Sequence, residues 1–155
     1  MGSHISIKKT GRLLTALLVG PLAVACSGPF VLFPGGALEG ATAATPADWS
    51  FTDEVDTIQL ETNPGEPYSV NLWIAAADDQ LYVHAGAERA TWIEHMDADP
   101  RVRLQVEDAV YELAASRVET QEEFDRFADA YEVKYGLRPR NENIAEVYLY
   151  RLGAR

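Results

Sequence analysis

The residues best suited to chemistry follow a short apolar strand in the middle of the chain. Residues 81–85 alternate between apolar and polar types, which predicts the end of a half-buried strand, and Gly86 breaks it. From Glu88 apolar residues recur every three positions, as on one face of a short helix that ends before Pro100. Because a strand end and a helix start then lie side by side, free backbone N–H groups can meet an anion there.

The elements that position this turn are predicted from the spacing of apolar residues and from the residue types at the turns. Further strands are indicated at 55–62, 68–77, 102–106, 110–118 and 144–152. The turn residues at 63–67, 78–79 and 107–108 join neighbouring strands into hairpins. Six strands without a regular βαβ alternation predict an α+β fold whose sheet is mainly antiparallel and forms a small closed or partly closed barrel.

A second short helix is predicted between the last two strands. Thr120 followed by Glu123 matches a capping box, in which both side chains satisfy free N–H groups at a helix start. Apolar residues then recur at spacings of three and four until Gly136, a residue typical of helix ends.

The order of strand, glycine turn, arginine, tryptophan-containing helix and the run ADPRVRL resembles a known superfamily. It is that of the split β-barrel proteins, which include pyridoxamine-phosphate-oxidase-like and deazaflavin-dependent nitroreductase-like proteins. The resemblance covers residues 49–155. It implies a split β-barrel homodimer that binds FMN or a deazaflavin at the subunit interface and carries out redox chemistry on a small molecule.

The resemblance also implies where such a cofactor binds. Gly86 and the start of the following helix are expected to meet its phosphate, with charge from Arg89 and a hydroxyl from Thr91. If the strands 68–77 and 81–85 pair through their turn, residues 69–71 lie one or two strand positions from His84 and face the ring. The expected cofactor-binding residues are Ser69, Val70, Asn71, His84, Ala85, Gly86, Arg89, Thr91 and Trp92.

Each of these residues also has an ordinary structural interpretation. A serine and an asparagine in a strand, such as Ser69 and Asn71, are more often solvent-facing or hydrogen-bonded to a neighbour, and Trp92 is typical of a core residue. Arg89 lies among carboxylates with which it can form a surface ion pair. His84 lies on the polar side of its strand, so the alternation does not require its burial. No catalytic residue is identified, and one cysteine with three scattered histidines does not predict a metal site.

One departure from the superfamily keeps a second hypothesis open. Deazaflavin-binding relatives carry a basic, glycine-containing turn between the first two strands, whereas residues 63–67 here read NPGEP and carry no positive charge. This favours FMN over a deazaflavin with a polyanionic tail. It equally favours a non-catalytic module on the same scaffold that binds a small ligand or a protein partner and no cofactor.

Charge excludes one class of partner. The 155-residue chain has a net charge of −11, and the part after Arg12 holds ten basic and twenty-four acidic residues. Such a surface repels the phosphate backbone, so we expect no nucleic-acid binding.

The first fifty residues differ from the rest of the chain. A basic stretch, residues 1–12, precedes the uncharged segment 13–33, which is long enough to span a bilayer as a helix. Basic residues on that flank favour a cytoplasmic N-terminus and a domain on the extracytoplasmic side of the inner membrane. The alternative is a lipoprotein signal peptide cleaved before Cys26. Residues 34–48 are expected to be a linker or an extended strand leading into the domain.

Overall fold

The computed structural model describes residues 1–2 and 34–155. The predicted membrane-spanning segment 13–33, its basic flank and Cys26 lie outside this range, and their arrangement stays a prediction. Within the described range, no helix combines the length and the apolar character that crossing a bilayer requires.

The described chain forms eight strands, two α-helices and two short 3-10 helices. In chain order the main elements are β1 Ala41–Ala43, β2 Ile58–Thr62, β3 Tyr68–Leu72, β4 Ile74–Ala77, β5 Gln80–Ala85, α1 Thr91–Ala98, β6 Arg101–Val106, β7 Ala109–Arg117, α2 Gln121–Tyr135 and β8 Tyr148–Ala154. The 3-10 helices are Ser50–Glu54 and Ile144–Glu146. Both predicted α-helices are therefore present, and α1 begins three residues later than the periodicity indicated.

The strands form one sheet in the order β3-β2-β6-β7-β8-β5-β4. All neighbours in this order are antiparallel. The two ends of the sheet, β3 and β4, are consecutive in the chain and separated only by Trp73. The sheet therefore curls until its ends meet, which confirms the predicted α+β fold with an antiparallel split barrel. The predicted single strand 68–77 was wrong, because its two halves pair with different neighbours.

The segment between residue 34 and the barrel is bound to the sheet. β1 pairs in parallel with the first three residues of β7, and Gly35 forms an isolated bridge with Ser69. Leu38 is buried, and its N–H donates to a carboxylate oxygen of Glu61 at 2.6 Å. Part of the segment expected to be a linker or a leading strand thus forms an additional strand.

The apolar residues form two clusters on opposite faces of the curled sheet. The larger cluster fills the barrel, and the smaller one lies beneath α2 on the outer face. In β5, Leu81 and Val83 point into the barrel, whereas Tyr82 contributes to the cluster beneath α2. Both faces of β5 are therefore covered, although its alternation resembles a strand with one solvated face.

Helix α2 begins and ends where the sequence indicated. The Thr120 hydroxyl accepts the N–H of Glu123 at 3.4 Å, and Gly136 takes a left-handed conformation with φ 71°. The Glu123 carboxylate, however, accepts from the Tyr82 hydroxyl and from Arg151, at 3.1 and 2.8 Å. The expected second half of the capping box is thus replaced by contacts that fasten α2 to β5 and β8.

Candidate functional site

A cavity of about 580 Å³ lies where the two ends of the curled sheet meet. Its walls are Trp73 between β3 and β4, the end of β5 with the loop 86–88, Tyr131 of α2, and the segment 137–141 that follows α2. This volume is within the range of small-molecule sites, and most of the exposed lining is apolar. The cavity exists because the chain changes neighbours at Trp73, which leaves a gap beside the last residues of β5.

His84 forms the inner wall of this cavity. Its imidazole packs against three aromatic rings of α2, those of Phe124, Phe127 and Tyr131, with ring centroids 5.5–6.4 Å away. Its Nε2 atom is buried and has no hydrogen-bond partner among the described residues. His84 is half-buried, because α2 covers the face of β5 that the alternation marks as polar.

Burial also sets the protonation state of His84. Desolvation of the charged imidazolium lowers the pKa of His84 from 6.5 to about 4. The ring is therefore neutral near pH 7, with one nitrogen that donates and one that accepts a hydrogen bond. A buried polar atom without a partner costs free energy, so a ligand that supplies the partner recovers that cost.

The buried neutral imidazole predicts a pH-dependent stability. Between pH 6.5 and about 4 the unfolded chain binds a proton at His84 that the folded protein rejects, so stability falls as the pH is lowered through this range. We expect His84→Leu to remove up to about 3 kcal/mol of this loss. Urea unfolding of the unmodified protein and of His84→Leu at pH 7, 5.5 and 4.5 measures this difference in the free energy of unfolding. Parallel pH profiles of the two proteins would contradict the assignment.

Trp73 provides a flat aromatic surface at the mouth of the cavity. The residue is 48% exposed, and its ring stacks on Tyr135 with centroids 4.6 Å apart and planes 13° apart. The Tyr135 hydroxyl is held by the backbone: it accepts the N–H of Ile74 and lies within 2.9 Å of the carbonyl oxygens of Ile74 and Asp56. The Tyr135 ring is therefore fixed, the Tyr131 ring lies 6.1 Å from that of Trp73, and the exposed part of Trp73 is available to a planar ligand.

Three charged side chains line the cavity, and one of them is held in ion pairs. Arg138 is held by three carboxylates, those of Asp129, Glu132 and Glu142, at 2.7–3.1 Å. Arg140 and Glu88 also line the cavity, are exposed, and make no ion pair with any described residue. Glu88 and Arg140 carry opposite charges, so the unpaired charges at the mouth of the cavity do not form a cluster of one sign.

Arg89 follows the loop that lines the cavity and is also paired. Its Nη2 donates to Asp97 Oδ2 at 2.8 Å, and its Nε lies 3.7 Å from Glu94. The other oxygen of Asp97 accepts the hydroxyl of Tyr150 at 2.6 Å. The guanidinium that was expected to meet a cofactor phosphate thus already binds a carboxylate of its own chain.

The structure brings only some of the predicted site residues together. His84 and Gly86 line the cavity, and Ala85 lies between them. Thr91 is the exposed first residue of α1, whereas Trp92 is only 5% exposed and its ring contacts Tyr150 in the barrel core.

The predicted neighbours of His84 on the other strand were wrong. Residues 69–71 pair with 59–61 of β2, at the opposite end of the sheet from β5. Ser69 is fully buried, and its hydroxyl oxygen has no hydrogen-bond partner in the part of the chain that the structure describes; Val70 is half-buried, and Asn71 is exposed. In the β4–β5 hairpin Ile74 pairs with Val83, so the residue that comes next to His84 is Trp73.

The sequence interpretation missed three parts of the cavity: Trp73, Tyr131 and the segment 137–141. Trp73 was placed inside a continuous strand and Tyr131 only in the apolar stripe of α2. A signal was present in residues 137–141, LRPRN, where two arginines flank a proline directly after a helix end. The described residues contain no group of three or more side chains suited to hold a metal ion.

Comparison with solved structures identifies the fold. A conserved hypothetical protein of Mycobacterium tuberculosis is 22% identical, with a TM-score of 0.57 over 68% of this chain and 76% of that chain. A candidate 5-nitroimidazole antibiotic resistance protein of Bacteroides thetaiotaomicron is 16% identical, with a TM-score of 0.53 over 66% and 75% of the two chains. A candidate pyridoxamine 5'-phosphate oxidase of Listeria innocua is 14% identical, with a TM-score of 0.52 over 66% and 86%. Comparison of the sequence with protein-family models and with curated proteins finds no match.

Proposed function

We propose that this chain, which has the split β-barrel fold of the pyridoxamine-phosphate-oxidase-like and nitroimidazole-resistance proteins, binds a planar heteroaromatic ring of the flavin class in the His84 cavity. The observation that carries the proposal is the buried Nε2 atom of His84, which lacks a hydrogen-bond partner among the described residues. It belongs to a side chain that forms the wall of a largely apolar cavity. A ligand with both an aromatic face and a polar edge suits these two features.

The dimensions and chemistry of the cavity support a ring of this kind. A flavin-class ring is flat, and it carries N–H and C=O groups along one edge. Its face can stack on the exposed part of Trp73, which Tyr135 supports from behind. Its polar edge can supply the missing partner of His84, whose nitrogens offer one donor and one acceptor when the ring is neutral.

The part played by this chain is to bind and orient the ring. FMN or a deazaflavin, when bound, supplies hydride or electron transfer to a small molecule. Phe124 and Phe127 fix the imidazole that meets the ring edge, and the apolar walls exclude water from it. With a pKa of about 4, His84 is a neutral hydrogen-bonding partner at neutral pH and lacks the second ring proton that an imidazolium acid would give. We assign no catalytic residue.

Quenching of riboflavin fluorescence by the full chain tests the proposal, because riboflavin carries the ring alone. We expect saturable quenching, and a roughly tenfold weaker affinity in Trp73→Ala, since a stacked aromatic pair contributes about 0.5–1.5 kcal/mol beyond its buried area. Phe51→Ala is the matched control, because Phe51 is similarly exposed at 43% but borders a different surface pocket. Absence of saturable quenching, or equal affinities of Trp73→Ala and the parent protein, would refute ring binding at this place.

A second candidate function is a binding module without catalysis. It is favoured by the paired state of Arg89 and by the turn 63–67, neither of which offers a free positive charge to a phosphorylated cofactor. The two candidate functions are distinguished by the rate at which the bound ring is reduced. An oxidoreductase accelerates the reduction of the bound ring by a nicotinamide donor relative to free riboflavin, whereas a binding module leaves that rate unchanged.

We also propose that residues 13–33 tether the domain to the membrane on its extracytoplasmic side. The absence of charge over these residues and the basic residues before them support this location. Fractionation of the full chain and of Cys26→Ala separates a retained anchor from a lipid-modified cysteine, because only the second depends on the thiol.

A further inference from the structure

We infer that the His84 cavity prefers a ring that carries a single phosphate, and that Arg140 at the mouth of the cavity binds this phosphate. The inference rests on the proposed function, because it concerns which ligand the same site takes. It assigns the phosphate to a different residue from the one that the resemblance implies, since Arg89 already binds Asp97. The observations behind it are the unused guanidinium of Arg140, the anchored residues on either side of it and the distribution of charge along the cavity.

The first observation is that Arg140 is a lining cation with its charge still available. Its side chain lines the cavity and is exposed, and it forms no hydrogen bond or ion pair with any residue in the described part of the chain. The other guanidinium of the wall, that of Arg138, is held by three carboxylates at 2.7–3.1 Å. A guanidinium presents several N–H donors in one plane, an arrangement that suits two oxygens of a phosphate. Arg140 can therefore bind an anion without giving up a bond that it already makes.

The second observation is that the residues on both sides of Arg140 are held in place. On one side lie Arg138 with its three carboxylates and Pro139, which is buried and whose ring fixes its φ. On the other side the Asn141 amide donates to Glu146 Oε2 at 3.0 Å. The segment therefore presents Arg140 at a defined place, and only the side chain itself has to be ordered when an anion binds.

The third observation is where charge lies along the cavity. The inner wall is neutral near pH 7, because burial lowers the pKa of His84 to about 4, whereas Arg140 and Glu88 are exposed at the mouth. The phosphate of a flavin is linked to the ring by a flexible chain and is costly to remove from water, so it belongs at the mouth, where Arg140 lies. Glu88 forms no ion pair with a described residue and opposes a second negative group there. This distribution suits one phosphate and disfavours a tail with several.

Parallel fluorescence titrations with FMN and riboflavin test the inference, because the two ligands share the ring and differ in the phosphate. The full chain is expected to bind FMN about fivefold more tightly than riboflavin, as suits an ion pair made by an exposed guanidinium. In Arg140→Gln we expect the ratio of the two affinities to fall to about one. In Arg140→Lys we expect an intermediate ratio, since lysine keeps the charge but not the planar fork of donors.

Two further variants separate the role of Arg140 from a general change of charge. Arg126→Gln is the matched control, because it makes the same change of charge on α2, where Arg126 pairs with Asp78 and Glu122 and does not line the cavity. We expect it to leave the ratio of affinities within about twofold of that of the unmodified chain. Glu88→Gln removes the opposing charge at the mouth, so it should raise FMN affinity about twofold relative to riboflavin affinity.

The outcomes are distinguishable from those of the ring-binding proposal. Binding of riboflavin as tightly as FMN, or more tightly, by the unmodified chain would overturn the preference for a phosphate and leave ring binding intact. A ratio that stays unchanged in Arg140→Gln, or that falls equally in Arg126→Gln, would overturn the assignment to Arg140. Binding of neither ligand would overturn the ring-binding proposal and the inference together.

Discussion

Replacement of Phe127 by alanine is expected to lower the free energy of unfolding by about 3–5 kcal/mol. Phe127 is 1% exposed and lies at the centre of the cluster between α2 and the outer face of the sheet. Its ring contacts those of Tyr82, His84 and Tyr131, with centroids 5.4–5.8 Å away. Alanine leaves a cavity that the rigid sheet cannot fill, and it removes the support that holds His84 in place.

Urea unfolding of Phe127→Ala measures this loss. Val133→Ala is the matched control on the same helix, because Val133 is 88% exposed and should change the stability by less than about 0.5 kcal/mol. Riboflavin binding should weaken in Phe127→Ala but not in Val133→Ala. A loss below about 1 kcal/mol at Phe127 would mean that α2 is not packed against β5 as described.

Arg103→Met is expected to cost about 2–3 kcal/mol, because it leaves a buried carboxylate without its counter-charge. Glu61 is 5% exposed and accepts from Arg103 Nη1 at 2.9 Å and from the Leu38 N–H at 2.6 Å. The same Nη1 atom donates to the carbonyl oxygen of Leu38 at 3.1 Å. The ion pair therefore joins β2, β6 and the segment that precedes β1. The expected loss lies at and just below the lower limit of about 3 kcal/mol for broken buried pairs, since the Arg103 side chain is 25% exposed.

Arg101→Met is the matched control for this prediction. Arg101 lies two residues earlier on β6 and pairs with Asp99 at the surface, so its loss should have little effect on stability. Chemical unfolding of both variants gives the comparison, and limited proteolysis before residue 41 reports whether the preceding segment is released in Arg103→Met. Similar stabilities of the two variants would contradict the buried role of the Glu61–Arg103 pair.

The elements that local chemistry determines could be predicted from the sequence. The hairpin turn at Asp78 and Asp79 is one example, and both residues adopt positive φ, as the turn requires. The N-cap at Thr120 and the C-terminal glycine at Gly136 are others. In each case the signal and the structure it specifies lie within a few residues of each other, so no knowledge of the tertiary fold is needed.

The pairing of distant segments could not be predicted in the same way. Residues 68–77 are apolar enough for one central strand, and nothing in their composition marks Trp73 as the point where the chain changes neighbours. β1 consists of Ala41, Thr42 and Ala43, which carry no strand pattern of their own and pair with the first three residues of β7, where β8 does not reach. Such pairings depend on the closure of the whole sheet.

Only part of the candidate site could be predicted, because some of its residues are brought together by segments that are distant in the sequence. The end of β5 and Gly86 were identified from a local break in a strand, and both border the cavity. The environment of His84 depends on α2, which begins thirty-seven residues later, so the alternation of β5 alone could not reveal it. The sequence indicated only that carboxylates were near Arg89. The structure shows that Arg89, which precedes α1, pairs with Asp97 near the end of that helix.

The central claim is that a planar ring binds between Trp73 and His84, and nuclear magnetic resonance tests it most directly. The full chain, labelled with ¹⁵N and ¹³C, is titrated with riboflavin. We predict intermolecular contacts between the methyl protons of the flavin ring and the aromatic protons of Trp73 and Tyr131. We also predict a change in the ¹⁵N chemical shift of His84 Nε2 as that atom gains its partner. Contacts confined to other surfaces, with an unchanged His84 signal at saturation, would contradict the account.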